Sequence, residues 1–599
     1  MTVRVGAVPH GAAGTRFTVW APRARSVDVR LVETGDRVTL RASGHGYFSG
    51  VAPCGPGTLY RYVLDGGAEL ADPASRSQPE GVHGPSEVVD LSAHRWDDAA
   101  FLAVPLRDAV IYELHIGTFT AGGTFSSAVD GLDDLVQLGI TTVEVMPVAQ
   151  FPGSRNWGYD GVFPYAVQNT YGGPDGLQSF VEECHRRELG VVLDVVYNHL
   201  GPEGNILPAF GPYLTDRYRT PWGEAVNFDG PWSDPVRDYF VANAVAWLED
   251  FHVDALRLDA VHELVDRSAR PLLAELAHAV RELSESSGRP HWLIAESADN
   301  DPRVVTPVQA GGLGLDAQWN DDFHHGVHAA LTGERQGYFG DFGGAGPVAR
   351  AMSQGFVYQG QFSGFRRRRH GAPSVGLDPD RFVVFDQNHD QVGNRPGGAR
   401  LASLVPIPRL RLAAALLLLS PGIPLLFMGE EYGETAPFPY FVDHGDPRLL
   451  EAVRRGRLTE HLPVPGDVPD PADPETFSRA VLDRGARHQG EQRDLWQLYR
   501  ALVSLRAAET PLRRSARECT VAHAVGPVVT LERTHGEAKI AALFNLSASD
   551  RDTTLPGGVC WTELLVPDPT AAPDGAAVTL GPWGFRVFRT GTDRDGDQG

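Results

Sequence analysis

Short apolar strands and amphipathic helices alternate through the middle of this 599-residue chain, and this alternation restricts the fold more than any other feature. The connections are too long for hairpins, so consecutive strands should run parallel. Eight strand–helix units are typical of a (β/α)8 TIM barrel; a doubly wound sheet is the alternative, but no Gly-x-Gly-x-x-Gly turn opens any of the helices. The strands are predicted at residues 110–115, 142–146, 191–197, 255–259, 291–296, 315–319, 382–385 and 424–427.

The two ends of the chain lack this rhythm and show short β-rich segments separated by turn residues. Residues 1–95 suit an N-terminal β-sandwich, and residues 515–599 suit a C-terminal β-sandwich with a flexible, Gly- and Asp-rich tail at 590–599. The barrel, with long loop insertions, would then occupy residues 96–514. The predicted fold class is therefore α/β, a TIM barrel flanked by two β-sandwiches.

Charge and apolar patterning argue against several classes of partner. A formal net charge of -23 does not attract nucleic acid or an anionic membrane surface. The longest apolar run, at 412–428, is interrupted by serine, proline and glycine, which predicts a buried helix and a strand rather than a membrane span. The N-terminal segment lacks the pattern of a signal peptide, so we expect a cytoplasmic protein.

One apolar segment, residues 253–262, contains an arginine and an aspartate two positions apart. In a strand this spacing sends Arg257 and Asp259 to the same face. A guanidinium beside a buried carboxylate keeps that carboxylate ionised, so Asp259 is a candidate nucleophile. Taken alone, the segment suits a structural ion pair equally well.

Reactive side chains follow several of the other predicted strands as well. In a parallel barrel the carboxyl ends of all strands meet on one rim, so these side chains should lie together. Two carboxylates on one rim suit glycoside hydrolysis, in which one attacks the anomeric carbon and the other protonates the leaving oxygen. No His/Cys cluster has the spacing of a zinc site, and we expect neither a metal nor a cofactor. The rim residues are Asp194, Asn198, His199, Arg257, Asp259, His262, Glu296 and the segment 387–390.

Four short segments resemble the four motifs of the α-amylase superfamily, in the same order along the chain. They are residues 194–199, 256–259, 295–297 and 388–390. The resemblance implies that Asp259 is the nucleophile, Glu296 the general acid/base and Asp390 the transition-state stabiliser. It also implies that the sugar in the cleavage subsite is held by Arg257, His199 and His389.

The flanking segments narrow the resemblance within that superfamily. Two segments resemble segments of glycogen-branching enzymes, isoamylases and trehalohydrolases: residues 112–119 and 156–161. Three others look most like segments of the trehalohydrolase family: residues 217–232, 318–325 and 428–444. This resemblance implies hydrolysis of the α-1,4 bond next to the terminal trehalose of maltooligosyl trehalose, releasing trehalose and a shorter maltooligosaccharide. The N-terminal sandwich would be of a carbohydrate-binding kind.

Two positions depart from the usual amylase pattern. His262 stands where amylases commonly have lysine, which puts an ordinary amylase acceptor site in doubt. Asn198 stands where many relatives hold a structural calcium, but no cluster of oxygen ligands accompanies it, so we expect no required metal.

Further substrate contacts are predicted around the three carboxylates. Trp222, Phe228 or Trp232, in the loop after the third strand, are candidates for the product side, although loop aromatics packed on the rim are equally expected. The additional substrate-binding candidates are Tyr159, Leu258, Ala260, Val261, His262, Asp321, Asp322, His324, Gln391 and Asn394.

Two other functions remain open from the sequence. A barrel of this kind also occurs in non-catalytic carbohydrate-binding or scaffold proteins, because a fold does not imply an activity, but the presence of all three carboxylates argues against it. Among enzymes, the alternative is a branching or debranching enzyme acting on glycogen.

Overall fold

A closed barrel of eight parallel strands forms the centre of the computed structural model, which describes residues 4–460, 468–514, 516–557, 559–565 and 576–590. The first strand pairs with both the second and the eighth, so the barrel sheet has no free edge. The predicted TIM barrel is thereby confirmed, and the doubly wound alternative is excluded. In chain order the strands are β1 Ile111–Leu114, β2 Thr142–Val145, β3 Gly190–Val195, β4 Ala255–Leu258, β5 Trp292–Ala295, β6 Ala317–Trp319, β7 Phe382–Phe385 and β8 Ile423–Phe427.

The helices surround the barrel, and several end where the sequence provides a glycine. Leu132–Leu138 ends at Gly139 and Leu272–Ser287 at Gly288, both with positive φ, a conformation that glycine adopts without steric cost. Ile407–Leu419 is apolar on nearly every side, and it packs between Gly490–Ala508, Asp321–Thr332 and Ala538–Asn545. The other α-helices are Ile116–Phe119, Phe125–Val129, Gly173–Arg186, Leu207–Phe210, Ser233–Asp250, Asp321–Thr332, Ala345–Gln354, His389–Gly393, Pro447–Glu460, Pro474–Ser478 and Thr510–Arg513.

The N-terminal region forms two antiparallel sheets that pack face to face. Phe17 of one sheet meets Tyr60 of the other with ring centroids 4.8 Å apart. Trp20 and Tyr62 are also buried, and they contact aromatic rings of the loop after β3, so these aromatics hold the sandwich to the barrel. One sheet contains Gly6–Pro9, Thr15–Trp20, Tyr47–Ala52 and Arg41–Gly44; the other contains Arg37–Thr39, Val27–Leu31, Leu59–Leu64, Glu69–Leu70 and Ser86–Glu87.

The C-terminal region also forms two antiparallel sheets around a small apolar core. Leu543 and Phe588 of the larger sheet and Val578 and Leu580 of the smaller one belong to that core. The expected fold class, a barrel with a β-sandwich on each side, is confirmed, and we propose the boundaries after residues 95 and 514 as the domain limits. The expected flexible tail lies outside the described residues from 591 onward. The strands are Thr520–Val525, Val528–His535, Ala538–Asn545, Phe585–Thr590 and Trp561–Leu565 in one sheet, and Arg551–Thr554 and Ala577–Leu580 in the other.

Short two-stranded antiparallel sheets lie in the connections between barrel strands. The hairpin Leu214–Thr220 with Gly223–Val226 stands in the long connection after β3, next to the rim where the candidate residues lie. Ala149–Gln150 pairs with Phe163–Val167, and Phe362–Ser363 pairs with Arg368–Arg369. Among the described residues, no helix combines the length and apolarity needed to cross a bilayer.

Candidate active site

Inward-facing side chains change from apolar to charged along the barrel strands. Successive side chains in a strand alternate between faces, so residues two apart share the interior. Ile111 and Ala255 belong to the apolar interior, and two residues further along β1 and β4 stand Glu113 and Arg257, which are 1% and 0% exposed. The interior therefore has an apolar layer below and a charged layer at the carboxyl ends of the strands, where barrel enzymes hold their sites.

Arg257 lies at the centre of the charged layer. Its Nη1 donates to Asp194 Oδ2 at 2.7 Å and to Asp259 Oδ1 at 2.9 Å, and its Nη2 lies 3.9 Å from Glu296 Oε2. The guanidinium also lies over the ring of Trp319, 4.2 Å from its centroid. A buried guanidinium requires such partners, so the ion pair expected between Arg257 and Asp259 is part of a larger network.

The carboxylate of Asp259 is held at both oxygens. Oδ1 accepts from Arg257, and Oδ2 accepts from Asn198 Nδ2 at 2.9 Å. The side chain is 10% exposed, so it reaches the open end of the barrel while its hydrogen bonds remain protected. Charged hydrogen bonds fix the orientation of an ionised carboxylate, as a nucleophile requires.

Glu296 lies beside Asp259 but in a less favourable environment for charge. Its Oε2 accepts the backbone N–H of Ala260 at 2.6 Å, and Ala260 has a φ of +38°, which is unusual for a residue with a Cβ. Burial, together with repulsion from Asp259 and Asp390, raises the pKa of Glu296 to about 8 in spite of the nearby Arg257. The carboxyl group is therefore protonated at neutral pH, as a general acid must be.

Asp390 is the most exposed of the three carboxylates, with 38% of its side chain accessible. Asn388 caps the short helix that carries it by accepting the Gln391 N–H at 2.8 Å. Asn394 Nδ2 donates to Asp390 Oδ1 at 3.4 Å, and Gln391 Nε2 donates to Asp321 Oδ1 at 3.2 Å. Burial and the charge of Asp390 raise the pKa of Asp321 to about 7. Three of the predicted substrate contacts, Asp321, Gln391 and Asn394, thus lie together beside Asp390.

The opposite side of the rim carries aromatic rings and His199. One ring nitrogen of His199 lies 3.0 Å from the carbonyl oxygen of Tyr159, and Trp222 stacks on the imidazole at 4.3 Å with 7° between the planes. Trp222 remains 49% exposed, so one face of its indole is open to solvent. Tyr159 stacks on His389 at 5.1 Å and donates from its hydroxyl to Asp194.

The side chains of two predicted contacts point into the protein. Asp322 is 3% exposed and accepts from Asn300 Nδ2 at 2.7 Å as well as from two backbone amides. His324 is 2% exposed, and its Nδ1 bonds the carbonyl oxygen of Asp386 at 2.6 Å. These side chains make hydrogen bonds within the protein, and their contact with substrate stays a prediction.

The predicted substrate contacts at the end of β4 and just after it differ in their exposure. Leu258 and Val261 are apolar and buried, and Ala260 offers a backbone amide that Glu296 already occupies. His262 is exposed at the rim. Of the loop aromatics, Phe228 is 1% exposed and belongs to the core, whereas Trp232 is 54% exposed.

Sequence reasoning missed several residues that lie beneath or beside the site. Glu113 and Glu144 lie side by side in the register of β1 and β2, and both are buried inside the barrel. Trp157 and Trp319 bring their rings to within 5.5 and 5.9 Å of His389. A charged residue at an inward position of an otherwise apolar strand is the signal that would have identified the two glutamates.

Among the described residues, no group of three or more His, Cys, Asp or Glu side chains has the arrangement of a metal site.

Comparison with known proteins assigns the family. A family model described as the catalytic domain of alpha amylase matches residues 80–210. The malto-oligosyltrehalose trehalohydrolase of Saccharolobus solfataricus is 47% identical over 494 residues, which cover 82% of this chain and 85% of that protein. The chain belongs to the malto-oligosyltrehalose trehalohydrolase family. The trehalohydrolase of Rhizobium sp. strain M-11 is 44% identical and covers 97% of the chain and 99% of its own length.

A solved structure described as an alpha amylase, and a more distant relative, complete the comparison. A crystal structure from Salmonella typhimurium superposes with a TM-score of 0.89 at 40% identity, covering 98% of this chain and 99% of that one. A glycogen-branching enzyme of Bacillus caldolyticus is 31% identical over 71% of this chain and 65% of its own length. The expectation of a glycoside hydrolase of the α-amylase superfamily is thereby confirmed, and the trehalohydrolase family fits the chain more completely than the branching enzyme.

Proposed function

We propose that this protein hydrolyses the α-1,4 bond next to the terminal trehalose of maltooligosyl trehalose and releases trehalose and a shorter maltooligosaccharide. The observation that carries the proposal is a pair of carboxyl groups on one rim, in a chain of the trehalohydrolase family: Asp259 is held at both oxygens, and the pKa of Glu296 is raised to about 8. Glucose chains and trehalose are neutral, so the chain's net charge of -23 does not oppose their binding.

We infer a double displacement for the three carboxylates. Asp259 attacks the anomeric carbon while Glu296 gives its proton to the oxygen of the departing trehalose, which forms a covalent glycosyl–enzyme intermediate. Glu296, now ionised, takes a proton from water as that water attacks the same carbon, and Asp259 is released. Asp390 stabilises the positive charge that develops on the sugar ring. We expect the carboxyl groups of Asp259 and Glu296 to lie about 5 to 5.5 Å apart, as in retaining enzymes.

The remaining candidates are proposed to hold the substrate. Arg257, His199 and His389 would bind the sugar at the cleavage point, with Tyr159 stacked against it, since these groups surround the carboxylates. Asp321, Gln391 and Asn394 would contact sugar hydroxyls on the side of Asp390. The floor of the substrate site would be formed by Leu258, Ala260 and Val261, which would contribute to substrate binding through their backbone and through the shape of that floor.

The trehalose side is proposed to lie near the hairpin after β3. Trp222 presents an open indole face, and His262 is exposed in place of the usual amylase lysine. Trehalose is bent at its α,α-1,1 linkage, so a site shaped for it leaves polar groups unpaired when a straight chain binds.

A paired assay tests this function. We expect kcat/KM for maltooligosyl trehalose to exceed that for a maltooligosaccharide of equal length by on the order of 10²-fold, which corresponds to about 2.7 kcal/mol of differential transition-state binding. Proton NMR of the first product should show the α-anomer. Initial release of the β-anomer would contradict the retaining mechanism, and equal specificity constants, or branching of amylose without free trehalose, would favour the glycogen-directed alternative.

A further inference from the structure

Beneath the proposed substrate site lies an acidic side chain that the mechanism above does not use. Glu113 stands at an inward position of β1 and is 1% exposed. It belongs to the segment 112–119, one of the flanking stretches that resemble branching enzymes, isoamylases and trehalohydrolases. A buried carboxylate is costly unless its oxygens are satisfied, so its partners indicate what it does.

Both oxygens of Glu113 bind the same residue, His389. Oε1 accepts from the ring nitrogen Nδ1 at 2.5 Å, and Oε2 accepts from the backbone N–H at 2.9 Å. A carboxylate accepts hydrogen bonds and does not donate them, so Nδ1 carries a proton. The other ring nitrogen, Nε2, lies 3.5 Å from Asp390 Oδ1 on the open side of the site.

Aromatic rings restrict the imidazole from its remaining sides. Tyr159 stacks on it at 5.1 Å with 21° between the planes, and Trp157 meets it edge to face at 5.5 Å. The ring of Trp319 lies 5.9 Å away. Packing of this kind limits the ring to one plane, and the hydrogen bond at Nδ1 selects which edge faces the site.

We propose that Glu113 is the positioning residue of His389, which it holds by Nδ1 and by the backbone amide so that an Nε2–H donor faces the sugar beside Asp390. The inference deepens the proposed function and rests on it, because His389 is taken to contact the sugar at the cleavage point. Glu113 itself touches no substrate; it acts through the imidazole.

The charges around the ring support a protonated imidazole. Burial lowers the pKa of His389, but the charges of Asp390 and Glu113 outweigh it and raise that pKa to about 9. Removing the charge of Glu113 should therefore lower it. The titratable or charged groups that face the ring are Glu113, His115, Glu144, Asp194, Arg257 and Asp390.

Nitrogen-15 NMR of the full chain, labelled at histidine and assigned with His389→Gln, measures the ring directly. In the wild-type protein we expect both ring nitrogens of His389 to stay protonated through neutral pH. In Glu113→Gln the ring should titrate at a pH lower by about one unit or more. This readout needs no substrate, so it tests Glu113 even where the proposed function fails. An unchanged titration would overturn the proposal.

Kinetics separate a positioning role from a general loss of stability. Glu113→Gln should lower kcat on maltooligosyl trehalose by on the order of 10²-fold and change KM little, because the donor acts in the transition state. The same substitution in a His389→Gln background should slow the reaction no further. Full additivity of the two losses would mean that Glu113 does not act through His389.

Glu144→Gln is the matched control. Glu144 stands opposite Glu113 in the strand register and is equally buried, but neither of its carboxyl oxygens has a hydrogen-bond partner and burial raises its pKa well above the usual range. A neutral amide there should leave the titration of His389 and the rate near wild type. If Glu113→Gln does not fold, Glu113→Asp keeps the charge while shortening the reach, and its kcat should lie below that of the wild type; a wild-type kcat would count against the proposal.

Discussion

At the scale of single residues, we propose opposite roles for two carboxyl groups that share one guanidinium, because their surroundings differ. Asp259 receives hydrogen bonds from Arg257 and Asn198, whereas Glu296 receives one backbone N–H and lies among other carboxylates. The first arrangement fixes the orientation of the Asp259 carboxyl group, and the second raises the pKa of Glu296 to about 8. This separation assigns attack to one group and proton donation to the other.

Replacing Glu296 by glutamine should abolish most activity and, at high pH, stabilise the fold. A glutamate whose folded pKa is raised from 4.5 to about 8 contributes stability that is complete below pH 4.5 and is lost as the pH rises toward 8. Glutamine has no such loss, so we expect Glu296→Gln to match wild type near pH 4 and to exceed it by roughly 4 kcal/mol near pH 8. Thermal unfolding at both pH values measures the difference in stability, and hydrolysis rates on a substrate with a sugar leaving group measure the loss of activity. Unchanged activity would contradict the role of Glu296 as the general acid.

At the scale of elements, the hairpin Leu214–Thr220 with Gly223–Val226 brings an aromatic platform to the rim. Its turn places Trp222 parallel to the imidazole of His199, and the outer face of the indole stays open. A sugar ring that stacks on this face makes the same contact in the bound substrate and in the transition state. Loss of the indole should therefore weaken the binding of both to a similar extent.

Trp222→Ala should therefore raise KM for maltooligosyl trehalose by about tenfold with little change in kcat. Trp232→Ala, in the same connection and similarly exposed, is the matched control for loss of a surface indole. Initial-rate kinetics on maltooligosyl trehalose measure both variants. A fall in kcat at constant KM would instead indicate that Trp222 positions His199 for the chemical step.

At the scale of the whole molecule, the C-terminal sandwich packs against the outside of the barrel. Strand Thr520–Val525 packs on helix Ala345–Gln354, and the guanidinium of Arg517 donates to the carbonyl oxygens of Leu377 and Ser353. Across the same boundary, Arg409 lies 4.1 Å from the ring centroid of Trp583. These contacts join the two regions without reaching the carboxylates.

A chain that ends at residue 514 should consequently be less stable than the full chain. Interfaces between domains bury roughly 600 to 1,500 Å², and apolar burial contributes about 25 cal/mol per Å², so the loss should exceed about 5 kcal/mol. Differential scanning calorimetry measures it, and circular dichroism of the shortened chain checks that the barrel forms. An unchanged unfolding temperature would show that the sandwich adds nothing to the stability of the barrel.

The sequence alone determined the elements and the three proposed catalytic carboxylates. Strand and helix periods are local properties, and β7 has the predicted limits, residues 382–385. A barrel places the ends of all its strands on one rim, so Asp259, Glu296 and Asp390 could be grouped before any distance was known.

Only the tertiary structure decided which polar side chains face the cleft and which face the core. Asp321 and Asp322 are neighbours in one helix, yet Gln391 contacts the first and Asn300 with two backbone amides surrounds the second. Glu113 binds His389, which lies 276 residues further along the chain, and no local sequence pattern indicates this contact. Hydrogen bonds depend on where distant segments meet in space, whereas the alternation of apolar and polar residues depends only on the chain itself.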